Sequence, residues 1–241
     1  MRSLLDNKFA PITFAWGFLE APLEDLASFV SAWFESLSRS VARTPLRGRL
    51  EQALRHLDPV FAVPNKKLLM STMSTWTACF ENGKIGGAPA SLVMYMAGQL
   101  KCRGPLLNCA PHTLSRSTGR GHGNWGAVTF ELVGPRAYPN SDRAIWLAND
   151  GGSWTFGANG TPLPFEDVER YQRKEVQERF DSEMLEKYCR ALGIDLFDEP
   201  FYGPDGVLLD VNERQPQGVG PVTLADVQST LDLDKISGCL K

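Results

Sequence analysis

Three acidic side chains near the middle of the sequence are the first candidates for chemistry. Asp150 lies in a turn, Glu131 lies on the polar side of a predicted strand, and Glu166 follows the last strand of the same group. Two carboxyl groups that converge can act as general acid and general base, as they do in glycoside hydrolysis. The sequence therefore leaves open a hydrolase with its carboxylates around these strands, against the alternative of surface acids beside hairpins.

Other common catalytic patterns do not occur in the sequence. It has no Gly-x-Ser-x-Gly elbow, no phosphate-binding Walker loop, no dinucleotide fingerprint after a strand and no zinc-deaminase pattern. Its five cysteines include no Cys-x-x-Cys pair and show no ligand spacing with the three histidines. We therefore predict reduced, mostly buried thiols, no metal site, no cofactor and no catalytic residue.

The element that must position the three acids is a predicted antiparallel meander over residues 124–165. Val128 and Phe130 alternate with smaller or polar residues, and Trp154 and Phe156 do the same, which puts the large apolar side chains on one face. Asp-Gly-Gly and Asn-Gly turns supply residues that tolerate a positive φ, as tight hairpins require. We expect the apolar face to be the platform on which helices pack.

Helices are predicted where apolar residues recur at spacings of three and four. Those at 22–41, 46–57 and 90–101 are expected to pack on the sheet. The highly charged segment 167–179 is expected to be helical and, with a helix at 184–192, to lie outside. Further strands are predicted at positions 12–19, 67–74, 76–81, 106–110 and 207–211.

Two dipeptides and one loop give more specific local expectations. Thr44 and Pro45 are expected to begin the second helix as N-cap and first helical residue. Asn82-Gly83 is typical of a hairpin turn. The glycine-rich loop at 115–123 offers a place for an anion, but a strand follows where a phosphate cradle needs a helix.

Together these elements predict an α+β (or α/β) fold, with a mixed, mostly antiparallel twisted sheet and helices packed on it. We expect one globular domain over residues 1–241, with a possible subdivision into 1–120 and 121–241. No linker separates the two parts cleanly.

The chain has 241 residues and a formal net charge of −3, but this charge is unevenly distributed. Residues 1–120 carry 14 Lys and Arg against 8 Asp and Glu, a net charge of +6, and residues 121–241 carry the remaining 11 and 20, a net charge of −9. An acidic half can attract a basic partner, although charges also simply solvate helix faces. Because no stretch has the ~20 apolar residues of a membrane helix and Asp6 and Lys8 interrupt any signal-peptide core, we expect a soluble, cytoplasmic protein.

Three clusters carry a resemblance to a family. They read Trp-Thr-Ala-Cys-Phe-Glu-Asn-Gly at 76–83, Cys-Arg-Gly at 102–104, and Asp-Gly-Gly-Ser-Trp-Thr-Phe at 150–156. Over residues 66–203 the chain resembles a group of uncharacterised bacterial cytoplasmic proteins, which have no assigned activity, so no catalytic residue is implied. Its general character resembles the immunity proteins of bacterial toxin and type VI secretion effector systems, which are small α/β proteins that bind and block one toxin.

The resemblance implies an immunity protein that neutralises a cognate toxin by occluding its active site. An acidic surface that carries aromatic residues would fit a basic cleft, such as that of a nuclease. The candidate contacts are Glu166, Asp167, Glu169, Asp195, Asp198, Glu199, Phe201, Tyr202, Asp205 and Glu213. A solvated C-terminal loop explains the same residues equally well. The alternatives are the hydrolase and a non-catalytic scaffold or assembly protein; a homodimer is possible, and no membrane or direct nucleic-acid contact is expected.

Overall fold

One twisted β-sheet organises the chain in the computed structural model, which describes residues 1–86, 89–114, 122–135 and 141–235. Its strands are β1 (Ala15–Leu19), β2 (Val41–Arg47), β3 (Lys66–Thr72), β4 (Thr77–Glu81), β5 (Gly104–Ala110), β6 (Ala127–Val133), β7 (Arg143–Asp150), β8 (Ser153–Gly160) and β9 (Tyr202–Val211). They lie in the order β2-β9-β3-β4-β1-β5-β6-β7-β8, and each neighbouring pair is antiparallel. With the helices below, this is an α+β fold, as predicted.

Five α-helices accompany this sheet in the described part of the chain. They are α1 (Leu23–Ser36), α2 (Leu50–Leu54), α3 (Ala90–Leu100), α4 (Ser182–Ala191) and α5 (Leu224–Thr230). The strand β9 comes from the acidic half of the sequence, yet it lies between β2 and β3 from the basic half. The two halves therefore contribute neighbouring strands to one sheet.

Both faces of the sheet are covered, which explains why the five residues of β1 are all buried. On one face, α1 and α3 bury Val30, Phe34 and Met96 against strand residues such as Leu69 and Leu209. Because these helix residues recur at spacings of three and four, they form one apolar stripe along each helix. The sequence predicts this packing, although α1 ends at Ser36 rather than near residue 41.

The other face carries the larger core, to which α2 and α4 contribute. Trp16, Phe80, Phe130 and Tyr188 are all fully buried there. The Tyr188 ring on α4 meets the Phe130 ring on β6 edge to face, with ring centroids 6.1 Å apart. The predicted strands β6, β7 and β8 are present, and their apolar face shares this core with α4.

The prediction that the charged segments form outer helices is wrong. Residues 167–179 contain only two short 3-10 turns, Arg170–Gln172 and Val176–Glu178. The following helix α4 does not lie outside, because its Leu185 and Cys189 are buried in the core of the sheet. Charge density alone thus predicted neither the conformation nor the position of these segments.

The prediction of a helix N-terminus at Thr44 and Pro45 is also wrong. Both residues lie in β2, which pairs with β9 and forms one edge of the sheet. Proline fits an edge strand because its missing N–H removes no bond from the interior of the ladder. The helix that was predicted at 46–57 begins only at Leu50.

Asn82-Gly83 does not make the predicted hairpin. The Asn82 side chain is fully buried, and its Oδ1 accepts hydrogen bonds from the backbone N–H of Asn65 (3.0 Å) and Lys66 (2.9 Å). Its Nδ2 donates to the carbonyl of Pro59 at 2.9 Å. The amide therefore ties two loops together, as buried polar groups must be satisfied. The predicted anion loop at 115–123 falls mostly outside the described residues.

The N-terminus of α4 offers a test of this packing. Asp181 accepts hydrogen bonds from the backbone N–H of Glu183 (3.1 Å) and Met184 (2.9 Å), and it also pairs with Arg170. We expect Asp181→Ala to lower the free energy of unfolding by about 0.5–2 kcal/mol in urea titrations, because two N–H groups lose their acceptor. Asp181→Asn should retain most of the stability, since it keeps the cap; an equal loss would assign the effect to the Arg170 pair.

Candidate functional site

Glu166 lies at the centre of a buried hydrogen-bonded network and not on the surface. Its side chain has 0% exposure, and Arg143, with 3%, binds it through two hydrogen bonds of 2.8 and 2.6 Å. Tyr171 donates to Glu166 at 2.9 Å, and Tyr171 and Tyr188 hydroxyls are 2.9 Å apart. Burial raises the pKa of both tyrosines, so their hydroxyls stay protonated. The prediction that Glu166 contacts a partner is therefore wrong.

Phe201 and Tyr202 are core residues. Both are buried, and the Phe201 ring meets the Tyr202 ring at a centroid distance of 5.3 Å. The Tyr202 hydroxyl donates to the carbonyl of Leu196 at 2.7 Å, and burial raises its pKa. The prediction that these two aromatic rings dock on a partner is wrong, because both lie in the core: Phe201 ends the 3-10 turn Glu199–Phe201, and Tyr202 begins β9.

Glu213 is also withdrawn from the surface, because it forms an ion pair with Arg39 at the end of α1. A second ion pair lies beside it, between Lys67 on β3 and Glu81 on β4, with 2.9 Å between Nζ and Oε1. These four charged side chains line a cavity of about 350 Å³, which we call the charged cavity. The prediction that Glu213 lies on a docking surface is therefore wrong.

The remaining acids of the predicted set reach solvent. Glu169, Asp198 and Asp205 are exposed, and Asp167 and Asp195 are half-buried. Two of these carboxylates form ion pairs with arginines, Asp195 with Arg190 at 3.1 Å and Asp205 with Arg47 at 3.8 Å. Asp167 accepts a hydrogen bond from the backbone N–H of Arg170 at 3.3 Å.

A concave site lies where the chain enters β9, and we call it the 199–204 cavity. It has a volume of about 610 Å³, and its wall includes Glu199, Tyr202, Arg49 and Gln52. Glu199 Oε1 is buried, and no described residue donates a hydrogen bond to it. Met73 lies in the same wall and is 75% exposed. The site thus combines an under-satisfied carboxylate with an apolar group that is open to contact.

Backbone contacts hold the shape of the 199–204 cavity. Gly203 has a φ of +102°, and a Cβ there would lie 3.0 Å from the carbonyl oxygen of Gly48. Gly48 N–H donates to the carbonyl of Pro204 at 2.8 Å, and Met73 N–H donates to the carbonyl of Phe201 at 2.9 Å. Three separate chain segments therefore meet at fixed positions around the cavity.

The three carboxylates proposed for a hydrolase do not converge. Glu131 lies opposite Ala144, and Asp150 lies six residues further along β7, which is about 20 Å at ~3.4 Å per residue. Glu166 binds Arg143, which pairs with the core-facing Leu132, whereas the neighbouring Glu131 points to the opposite face. No two of these acids share a site around the meander.

The cysteines differ in their accessibility, and this difference is testable. Cys79, Cys109 and Cys189 are buried, and burial raises their pKa values, that of Cys109 to about 12. Cys102 is half-buried, and burial raises its pKa as well. Because only the thiolate is nucleophilic, none of these four thiols is activated at neutral pH.

In a Cys239→Ser background, we expect a disulfide reagent to label one thiol of the folded protein rapidly, namely Cys102. Its labelling rate should still be rising above pH 9, because a raised pKa moves thiolate formation to higher pH. Stopped-flow absorbance would measure these rates. Cys102→Ser should remove the rapid phase; rapid labelling of another thiol in that variant would contradict the burial of the other three.

The described residues contain no group of three or more His, Cys, Asp or Glu side chains arranged to hold a metal ion. No helix in the described part of the chain has the length and apolar character to cross a membrane. Comparison with protein-family models, with curated proteins and with solved structures finds no match to this chain. The family resemblance over residues 66–203 therefore stays a prediction.

Sequence reasoning named Glu199, Tyr202 and Glu213 but missed other residues that line the two cavities, among them Lys67, Glu81 and Met73. Lys67 and Glu81 each interrupt an apolar face of a predicted strand, and an inward-facing charge of this kind is a signal that sequence alone provides. Their pairing is set by the register between β3 and β4, where they lie directly opposite each other. Met73 gave no comparable signal, since a methionine after a strand is equally typical of a core.

Proposed function

We propose that the protein binds and neutralises a cognate toxin, as an immunity protein does, and that it docks through the 199–204 cavity. The observation that carries this proposal is the cavity itself, where Oε1 of Glu199 receives no hydrogen bond from a described residue and Met73 is exposed. Asp198 and Asp205 flank the cavity residues in sequence, and both are exposed. The proposed docking surface consists of these four residues.

The chemistry of this surface indicates what it would bind. A partner arginine or lysine that enters the cavity would supply Glu199 with a charge-assisted hydrogen bond, which is stronger than one between neutral groups. The acids on either side would favour the approach of a basic surface and raise the association rate. Arg49 lies in the same wall, so the incoming cation must sit on the Glu199 side. A basic cleft, such as that of a nuclease, has these properties.

Met73 would supply the apolar part of the interface. Burying an exposed methionine side chain contributes about 1.5–3 kcal/mol. Binding energy in protein interfaces concentrates in a few residues near the centre, surrounded by contacts of small effect. A methionine beside a cavity with one carboxylate and two acidic neighbours fits this pattern.

The test begins with purification of the protein and its partner from the native cell, followed by expression of the partner in a foreign host. We expect the partner to arrest growth alone and co-expression of this protein to restore growth. We also expect the affinity to fall as salt rises, because the exposed acids are screened. The proposal fails if no partner copurifies, if the partner is harmless, or if co-expression with wild-type protein does not restore growth.

A further inference from the structure

The charged cavity lies at the end of the sheet face that α1 and α3 cover. Trp33 and Phe34 of α1 form part of its wall, and the first turn of α3 faces them. At about 350 Å³, it falls within the range of small-molecule pockets, roughly 300–1,000 Å³. The charged cavity shares no lining residue with the 199–204 cavity.

Fold stability alone does not account for the charges in this cavity. The side chains of Lys67 and Glu81 are only 7% and 12% exposed. A buried ion pair gains little over apolar residues of similar size, because the attraction must first offset the loss of hydration. Burial raises the pKa of Glu81, the Lys67 ammonium lowers it, and the nearby Glu213 raises it, so the two carboxylates repel each other across the cavity.

Each charged group keeps hydrogen-bonding capacity. Lys67 uses two of its three N–H donors, on Glu81 (2.9 Å) and on the carbonyl of Pro64 (3.0 Å). Arg39 bonds Glu213 through one of its terminal nitrogens, and within the described residues its other side-chain nitrogens have no acceptor. The second carboxylate oxygens of Glu81 and Glu213 likewise receive no donor from that part of the chain. The cavity thus offers both donors and acceptors.

We propose that the charged cavity binds a small zwitterion with an apolar substituent, such as a free amino acid with an apolar side chain. The ligand carboxylate would be held by Arg39 and by the third N–H of Lys67. The ligand ammonium would lie between Glu81 and Glu213 and would relieve their repulsion. The apolar substituent would pack on the Trp33 and Phe34 rings. This site is independent of the toxin-binding proposal.

The wall of the cavity supports the choice of ligand. The Phe34 ring already lies 6.0 Å from Lys67 Nζ, which is within cation–π range, so an aromatic face is presented to the charged groups. Trp33 stacks on Tyr95 with ring centroids 4.7 Å apart, which fixes the orientation of the indole. A ligand with a single charge would meet a group of like charge on the opposite side. A zwitterion places its carboxylate beside the cationic side chains and its ammonium beside the carboxylates.

Isothermal titration calorimetry with four probes tests the proposal. L-phenylalanine and L-leucine carry both charges, 3-phenylpropionate carries only the carboxylate, and phenethylamine carries only the ammonium. We expect at least one of the two amino acids to bind with a dissociation constant below about 1 mM and the two singly charged compounds to bind at least tenfold more weakly. No heat from either amino acid up to about 10 mM, or equal binding of a singly charged compound, would overturn the proposal.

Variants locate the site. Arg39→Gln should weaken amino-acid binding at least tenfold, and Arg39 is half-exposed, so the variant should fold. Glu213→Gln should also weaken amino-acid binding at least tenfold, because it removes a negative charge beside the ligand ammonium. Arg55→Gln is the matched control, because Arg55 is an exposed, ion-paired arginine outside the cavity. The site is elsewhere, and the proposal is wrong, if Arg39→Gln and Glu213→Gln both bind as wild type or if Arg55→Gln weakens binding equally.

Discussion

Replacing Arg143 with methionine is expected to lower the free energy of unfolding by about 3–5 kcal/mol. The change leaves the carboxylate of Glu166 buried without its cation, and a stranded charge costs far more than the pair contributes. Loss of this size is a large fraction of the ~5–15 kcal/mol that stabilises a typical domain. Equilibrium unfolding in urea, followed by tryptophan fluorescence, would measure it.

The matched control is an exposed ion pair of the same type. Arg173 and Glu178 are about half-exposed, so Arg173→Met should cost less than about 1 kcal/mol. The double variant Arg143→Met with Glu166→Gln should recover part of the loss. Its amide oxygen can still accept from the backbone N–H of Leu163, which bonds Glu166 at 2.8 Å in the wild type. Equal losses for Arg143→Met and Arg173→Met would show that the buried network contributes no more to stability than an exposed ion pair.

If the proposed docking on a toxin is right, replacing Met73 with lysine should weaken that complex about 100-fold, or by about 2.7 kcal/mol. The variant loses the apolar contact and brings a positive charge against a basic partner. Most of the change should appear as faster dissociation, because interface mutations act mainly on that rate. Surface plasmon resonance with the copurified partner would measure both rate constants.

Ile85→Lys is the control for that measurement. Ile85 is 80% exposed, similar to Met73, but it does not line the 199–204 cavity. The control should bind within about threefold of wild type, since surface substitutions outside an interface have small effects. If Ile85→Lys weakens binding as much as Met73→Lys, the docking surface lies elsewhere.

Periodicity predicted the parts of the fold in which one pattern dominates. The alternation around Val128 and Phe130 identifies the face that α4 covers, and Asp181 with Gly193 marks the ends of that helix. These signals depend on residues that are near one another in sequence, so the structures they predict are the ones observed. The hydrogen bonds of each element come from residues that are close in sequence or directly opposite on the next strand.

The errors arise where distant residues decide the conformation. Thr44 and Pro45 are typical of a helix start, but pairing with β9, about 160 residues away at Leu208 and Val207, makes them an edge strand. Asn82 is typical of a turn, but it serves as a buried bridge between two loops. Neither role can be seen in a window of neighbouring residues.

The candidate site was predicted only in part, because the sequence does not show which of its residues are buried. Acids and aromatics in the segment before β9 indicated a binding surface, and Asp198, Glu199 and Asp205 do lie at or beside a cavity. Phe201 and Tyr202 are buried because both rings lie in the core, Phe201 from the 3-10 turn Glu199–Phe201 and Tyr202 from the start of β9. Sequence composition shows which residue types are present but not which side of the strand they occupy.

Hydrogen–deuterium exchange of the protein, alone and bound to the partner that copurifies with it, tests the proposed docking site most directly. If the toxin docks on the 199–204 cavity, amide exchange should slow in residues 47–52, 71–74 and 198–205, the three segments that meet there. Ile85 and its neighbours should exchange at an unchanged rate. Unchanged exchange in all three segments, with protection only in other parts of the chain, would contradict the proposed docking site.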